Sequence, residues 1–211
     1  MMGMRTVRHI VAMAALVAAT TSCGDVIRQG RSPVYLVITL LQAAQGNHIS
    51  QFGGSLTSDV LTVVTSPAPC TQASPCLTVF NDVGQVGLKI SLKDIGPPNV
   101  PTTPTTNNEV TIRRYRVAYR RADGRNTPGV DVPYPFEGAV TGTVVAGSTL
   151  TLSFEIVRDV AKEESPLVQL INSKTIITTI GDVTFYGTDQ VGNELSVTGS
   201  ITIDFGNFGD T

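Results

Sequence analysis

The feature of this sequence that most restricts its fold is a long alternation of residue types near the C-terminus. Six positions of one parity carry apolar residues or glycine, and polar residues separate them. These positions are Leu195, Val197, Gly199, Ile201, Ile203 and Phe205. Side chains of a β-strand point alternately to its two faces, whereas those of a helix return to the same face about every 3.6 residues. The segment is therefore predicted to be a strand with one buried face.

Similar strand patterns recur along most of the chain. The predicted strands cover residues 34–41, 59–64, 77–80, 86–92, 109–121, 139–145, 149–158 and 183–186, in addition to the C-terminal alternation. Residues 96–108 interrupt the pattern, because their prolines favour extended backbone without ladder hydrogen bonds, and they are predicted to form a long loop. Many short strands with Pro- and Gly-rich turns indicate an all-β, antiparallel β-sandwich.

Two short segments between the predicted strands carry sequence signals, one for a turn and one for a helix. Asp123 and Gly124 form the residue pair of a tight hairpin turn after the strand at 109–121. One short helix is predicted to start at Ser165, which suits the N-cap, with Pro166 at the first helical position. Leu167, Leu170 and Ile171 share one face of that helix.

The segment from Phe185 to Val197 resembles the last hairpin of bacterial immunoglobulin-like domains, in which a T-D-x-x-G-N turn commonly joins the final two strands. Here that turn runs from Thr188 to Asn193. The resemblance covers only this hairpin and implies an immunoglobulin-like antiparallel β-sandwich. The whole chain also resembles uncharacterised bacterial lipoproteins, and that second resemblance implies no activity.

The N-terminus has the parts of an export signal. Arg5 and Arg8 precede an unbroken apolar run at residues 10–19, and Cys23 follows shortly after it. A helix of this length covers only about half of a ~30 Å hydrocarbon core, so a retained transmembrane anchor is not expected. Residues 1–22 are therefore predicted to be a signal peptide, followed by a short tether at 23–32 and a single β-sandwich domain at 33–211.

The residues around Cys23 resemble the lipobox of bacterial lipoproteins, in which a small residue precedes a cysteine that is lipidated and becomes the new N-terminus. Thr20 departs from that pattern, because the family usually has an aliphatic residue there. The resemblance implies lipidation of Cys23, with membrane lipid as a partner of the acylated N-terminus. It also implies a place in the cell envelope, on the periplasmic or outer-membrane face of a bacterial membrane. The alternative is an ordinary signal peptide in which Cys23 is incidental.

Cys70 and Cys76 remain as a close pair if Cys23 is lipidated. They lie in a segment rich in Pro and Ser, which is typical of a loop. In an oxidising compartment such a pair is predicted to form a disulfide bond. A metal or redox pair is the competing interpretation, but the spacing is not C-x-x-C and no histidine lies nearby.

Charge and histidine content argue against several functional classes. Without Arg5 and Arg8, 13 of the 15 Lys and Arg residues remain against 17 Asp and Glu residues, a net charge of −4. Such a balance provides no general attraction to nucleic acid or to anionic lipid. His48 is the only histidine beyond the predicted signal peptide, so neither a Ser–His or Cys–His nucleophile nor a zinc site is expected.

Carboxylate chemistry is harder to exclude, because a glycosidase needs only two Asp or Glu residues that the fold brings together. No pair stands out in the sequence. Asp182, Asp189 and Asp204 surround the last hairpin and are candidate Ca²⁺ ligands, but they lack EF-hand spacing. No catalytic residue, metal site or cofactor is therefore predicted.

The most unusual feature of the mature sequence is a cluster of arginines on the strand at 109–121 and just after it. The cluster contains Arg113, Arg114, Arg116, Arg120, Arg121 and Arg125. On a strand, Arg114, Arg116 and Arg120 share the face opposite to Tyr115 and Val117. They form a candidate anion-binding face for phosphate or carboxylate groups, such as those of lipid headgroups or an acidic glycan. The simpler interpretation is a solvated strand face whose charges meet acidic residues on neighbouring strands.

Taken together, these features predict a non-catalytic, membrane-anchored envelope lipoprotein that acts as a binding or assembly module. An envelope protein or an anionic glycan is the candidate partner, and nucleic acid is not expected. The alternative is a carboxylate-dependent hydrolase that acts on envelope polysaccharide.

Overall fold

The computed structural model describes residues 30–208, so the predicted signal peptide and Cys23 lie outside the described residues. The strands are β1 (Val34–Ala44), β2 (Ser55–Asp59), β3 (Thr62–Val64), β4 (Cys76–Thr78), β5 (Asp82–Leu92), β6 (Val110–Arg120), β7 (Phe136–Val144), β8 (Leu150–Val157), β9 (Ile177–Asp189) and β10 (Glu194–Gly206). One short α-helix, α1, covers Asp159–Lys162, and 3-10 turns occupy Thr106–Asn108 and Leu167–Leu170. The predicted all-β class is confirmed.

Two sheets pack face to face as a β-sandwich. The larger sheet has the order β2-β10-β9-β6-β7, the smaller one has the order β1-β5-β8, and β3 and β4 form a separate hairpin. This order matches the variable-type immunoglobulin arrangement, in which strands A, B and E share one sheet and strands G, F, C and C′ share the other. Among the described strands, β2 and β10 run parallel and every other pair is antiparallel.

Aromatic rings fill the centre of the core. Phe154 of β8 lies with its ring centroid 5.2 Å from those of both Tyr115 and Phe185, and Tyr115 meets Phe136 edge-on at 6.2 Å. Antibody domains instead bridge their B and F strands with a disulfide packed against a tryptophan. The corresponding strands here, β5 and β9, contain no cysteine, so ring packing joins the two sheets.

Register shifts interrupt three of the described strands, and two of these shifts are β-bulges, in β1 and β6, that set the phase of long strands. Pairing shifts by one residue between Ile38 and Leu40 of β1, and again between Ile112 and Arg114 of β6. The extra residues are Thr39 and Arg113. A bulge adds one residue to one strand, so it restores the inward direction of apolar side chains whose sequence spacing breaks a strict alternation.

The predicted strand at 59–64 is two strands in the structure. The β2 strand ends at Asp59, whose carboxylate accepts hydrogen bonds from the Leu61 N–H at 3.4 Å and from the Thr62 hydroxyl at 3.3 Å. An aspartate that bonds to the backbone two residues later makes a local turn. That turn separates β2 from β3, which begins at Thr62.

The turn at Asp123 and Gly124 forms, but it does not close the predicted hairpin. The next strand begins only at Phe136, which pairs with Val117, so the turn belongs to a long connection at 121–135. The far end of β6 pairs with β9 alone, where Arg120 is opposite Ile180. A hairpin-type residue pair in the sequence predicts a local turn, but it does not determine where the next strand starts to pair.

The short helix is present but lies before its predicted position. The α1 helix ends at Lys162, whereas the residues after Ser165 form a single 3-10 turn with Pro166 as its N-cap. Leu167 and Leu170 are both buried in that turn. Their spacing of three residues suits the 3-10 geometry, in which positions i and i+3 eclipse each other.

The predicted disulfide is confirmed. Cys70 and Cys76 are bonded, with their Cα atoms 5.3 Å apart. Cys76 is the first residue of β4, and Cys70 lies in the loop that joins β3 to β4. The bond therefore closes a loop of a peripheral hairpin and lies outside the aromatic core.

Candidate functional site

The three arginines of the predicted anion-binding face lie on the outer surface of the five-stranded sheet. They are carried by β6, which pairs with β7 on one side and with β9 on the other. Tyr115 and Val117 are buried in the core, while Arg114 and Arg120 are exposed and Arg116 is partly exposed. The predicted separation of the two faces is therefore present, and we call Arg114, Arg116 and Arg120 the arginine face.

Arg114 is held by two neighbours. Its guanidinium donates to the Glu137 carboxylate of β7 at 3.0 Å, and its Cζ atom lies 3.7 Å from the ring centroid of Tyr186 on β9. Both charged side chains are about half exposed, at 49% and 53%. An exposed ion pair and an exposed cation–π contact each contribute at most about 1 kcal/mol, so these contacts orient Arg114 more than they stabilise the fold.

Arg120 is also paired with an acidic residue. Its Nε atom donates to the Asp182 carboxylate of β9 at 2.6 Å, and the Ser200 hydroxyl donates to the same carboxylate at 2.6 Å. Partial burial acts to raise the pKa of Asp182, but the hydrogen bonds from Arg120 and Ser200 outweigh it and lower the pKa. Asp182 thus stays ionised and occupies Arg120.

Arg116 lies between these pairs and has no such partner. In register it is opposite Glu137 on β7 and Thr184 on β9, but the Glu137 carboxylate binds Arg114. Within residues 30–208, the side chain of Arg116 makes no hydrogen bond or ion pair. Beside it, the hydroxyls of Thr184 and Thr198 bond to each other at 2.8 Å. A guanidinium has five N–H donors, so Arg116 offers unused donors in the middle of the arginine face.

A shallow groove of about 290 Å³ lies at one end of the arginine face. Its lining includes Arg113, Arg114, Tyr186, Thr188 and Glu194. The bulge at Arg113 places this exposed side chain beside the groove, outside the regular alternation of β6. The groove therefore combines two guanidinium groups with one carboxylate.

The remaining two arginines of the cluster form ion pairs within a turn. Arg121 and Arg125 both donate to the Asp123 carboxylate, at 2.8 and 2.9 Å. Hydrogen bonds from these two side chains hold the pKa of Asp123 well below its usual range. They lie in the connection after β6 and do not extend the arginine face.

The fold does not bring the three candidate calcium ligands, Asp182, Asp189 and Asp204, together. Asp189 accepts the N–H groups of Val191 and Asn193 within the last hairpin, at 3.1 and 2.8 Å. Asp204 accepts the hydroxyl of Thr178 at 2.6 Å. Across the part of the chain that the structure describes, no three His, Cys, Asp or Glu side chains form a metal-binding group.

Sequence reasoning missed a buried ion pair. The Lys162 ammonium of α1 lies 2.9 Å from the Asp82 carboxylate of β5, and each side chain is only 1% exposed. The Ser58 hydroxyl and the Gly46 N–H also donate to Asp82, at 2.6 and 3.0 Å. Burial raises the pKa of Asp82, although Lys162, Ser58 and Gly46 each act to lower it. The parity of Asp82 with buried Val86 was a usable signal for an inward carboxylate, but nothing marked Lys162.

Comparison with known proteins found no family model, curated protein or solved structure that matches this chain. Function is therefore inferred from the residues themselves. In residues 30–208 there is no helix with the length and apolar character needed to cross a bilayer.

Proposed function

We propose that this protein is a lipid-anchored, non-catalytic module of the bacterial cell envelope that binds or assembles with an anionic partner through its arginine face. The anchor is Cys23, which lies outside the described residues. The observation that carries the binding part of the proposal is Arg116, whose donors are unused although acidic residues engage both Arg114 and Arg120. A guanidinium binds carboxylate and phosphate groups through paired hydrogen bonds, so an envelope glycan or protein with such groups fits this face.

A rigid sheet makes this surface suitable for recognition. Arg114 is fixed by Glu137 and Tyr186, and Arg120 is fixed by Asp182, so the surface around Arg116 is already ordered before a ligand binds. Pre-organised groups lose less conformational entropy on association. The loops at the ends of the sandwich are not required for such a contact.

The hydrolase alternative has no observation in its favour. A glycosidase needs a general acid whose raised pKa keeps it protonated next to the substrate. Asp123, Asp182 and Asp189 have lowered pKa values. Asp82 has a raised pKa but is enclosed by the core, where it could not reach a polysaccharide.

Replacing Cys23 with alanine is expected to abolish incorporation of a fatty-acid label, because the thiol is the proposed site of acylation. The measurement is metabolic labelling of the full chain in a bacterial host, followed by detergent-phase partitioning. Several acyl chains on one cysteine would hold the protein durably at the membrane, at about 0.8 kcal/mol per buried CH₂. A Cys70→Ser, Cys76→Ser variant retains Cys23 and should keep the label. Normal labelling of Cys23→Ala would show that the anchor is wrongly assigned.

Replacing Arg116 with glutamine is expected to weaken binding to an anionic glycan at least about tenfold, since hydrogen bonds to charged groups contribute about 1.5–3 kcal/mol. Polygalacturonate, which has one carboxylate per sugar, is a suitable probe, and affinity should fall as salt is raised. Arg120→Gln is the matched control, because it removes the same charge from a side chain already paired with Asp182. Equal losses in both variants would show that only net charge matters, and no binding by the unmodified protein at low salt would count against the binding proposal.

A further inference from the structure

The outer face of the three-stranded sheet has an apolar strip along its edge strand. Tyr35, Val37 and Leu40 of β1 are 57%, 40% and 45% exposed. We call these three residues the β1 strip. The opposite edge of this outer face is formed by β8 and is polar, since Thr151 and Ser153 are exposed there. The apolar surface is therefore confined to one strand.

The bulge in β1 builds this strip. Val37 pairs with Lys89, and after the extra residue Thr39 the next outward position, Leu40, pairs with Gly87. A Cβ atom at Gly87 would lie 2.8 Å from Oγ1 of Thr39 and 3.3 Å from the Cβ atom of Leu40, so the glycine leaves room on the outer surface for both residues of the bulge. Without the bulge, the alternation would turn Leu40 towards the core.

Basic groups border the strip. Lys89 lies in register with Val37, and the Nζ atom of Lys93 lies 5.1 Å from the ring centroid of Tyr35. Arg31, just before β1, is exposed. The nearby Asp94 directs its carboxylate to the Gly96 N–H of the following loop, at 2.9 Å. A tyrosine ring with aliphatic neighbours and lysines is the combination found in the headgroup region of bilayers, where anionic lipids attract cations.

The chain outside the described residues enters the fold at this strip. Cys23 precedes Val34 by 11 residues. Fully extended, that segment reaches at most about 40 Å. A tether this short keeps the domain at a high local concentration relative to the membrane, so even a weak surface contact suffices to orient it.

We infer that the β1 strip, with Lys89 and Lys93, rests on an anionic lipid surface and orients the anchored domain. This inference rests on the proposed anchor at Cys23. The two sheets of a sandwich have their outer faces on opposite sides, so this orientation turns the arginine face away from the lipid and towards the aqueous compartment. The membrane therefore leaves Arg116 accessible to a partner.

The absence of tryptophan from the sequence makes a clean test available. The chain beginning at Cys23 contains every described residue, and Cys70 and Cys76 are bonded to each other, so the Cys23 thiol can be coupled chemically to a maleimide lipid. This coupling supplies the tether whether or not cells acylate Cys23, which separates this test from the labelling test of the anchor. Tyr35→Trp reports from the β1 strip and Tyr186→Trp from the opposite outer face. Vesicles contain phosphatidylglycerol and phosphatidylethanolamine with ordinary or brominated acyl chains.

Trp emission of Tyr35→Trp should fall at least about twofold in brominated vesicles, because interfacial side chains reach about 5–10 Å into the boundary of headgroups and acyl chains. Emission of Tyr186→Trp should not change. Adding Val37→Ser and Leu40→Ser to Tyr35→Trp should remove the quenching. Unquenched emission from Tyr35→Trp, as expected if the strip covers a second copy of the chain, would overturn the inference. So would equal quenching of Tyr186→Trp, or quenching that survives the two serine substitutions.

Discussion

Replacing Lys162 with methionine is expected to lower the free energy of unfolding by about 3–5 kcal/mol, because removal of one partner of a buried ion pair leaves the other charge uncompensated. Asp82 would keep its hydrogen bonds from Ser58 and Gly46 but lose its ion pair with Lys162, the one cation paired with it among the described residues. Urea denaturation followed by circular dichroism measures the loss. Lys174→Met is the control, because Lys174 is exposed and its replacement should be nearly neutral.

The loss in Lys162→Met should depend on pH in a defined direction. Without the ammonium, the pKa of Asp82 in the folded state rises further above its unfolded value of about 3.9. Asp82 is protonated in both states below that value, so the penalty is small there and grows as pH rises through the folded pKa. Adding Asp82→Asn should recover much of the stability at neutral pH, because the amide carries no charge. A loss that is equal at acidic and neutral pH would contradict this account.

Replacing Phe154 with alanine is expected to destabilise the domain by about 3–5 kcal/mol, the usual cost of removing a buried aromatic ring. Phe154 links the two sheets, since it comes from β8 and its ring centroid lies 5.2 Å from those of Tyr115 on β6 and Phe185 on β9. Thermal or urea unfolding gives the change. A loss below about 1 kcal/mol would mean that the surrounding core collapses into the cavity without cost.

A substitution at Gly84 tests the packing around Phe154 by adding volume to the core instead of removing it. It pairs with Phe154 in register, and a Cβ atom there would lie 2.4 Å from Cζ of the ring. Overpacking typically costs about 1–3 kcal/mol, so Gly84→Ala should destabilise alone and cost much less in the Phe154→Ala background. Gly54→Ala is the control, because nothing lies within 4 Å of its added methyl group. Additive losses would show that the glycine and the ring do not interact.

The alternation of residue types predicted most strands because each strand buries one face. For β10 and β5, every predicted inward position except Gly199, Val197 and Leu92 is fully buried, and these three are partly buried. The two bulges were not predictable, since an extra residue at Thr39 or Arg113 is decided by packing of the neighbouring strand. The short helix was misplaced for a related reason. Capping residues at Ser165 favour a helix locally, but the core accepts only one 3-10 turn there.

The composition of the arginine face was predictable, but its electrostatics were not. Arg114 and Arg120 find partners 23 and 62 residues away in sequence, on strands whose register no local pattern reveals. The donors of Arg116 are unused because Glu137, which is opposite Arg116 in register, binds Arg114 instead. Lys162 was missed because a lysine in a short helix is ordinarily solvated, and only the fold brings Asp82 beneath it.

The parallel pairing of β2 with β10 has a consequence for biosynthesis. Residues 55–59 pair with residues 202–206, so β2 cannot complete this pairing until β10 has been synthesised. Contacts between such distant segments close slowly, because loop entropy is lost before any pairing energy is gained. A ribosome or an export channel delivers the N-terminal side first. Until β10 emerges, β9 has an open edge on the side that β10 will cover, and open edges invite pairing with other chains. The edge of β9 is therefore protected only once β10 has paired with it.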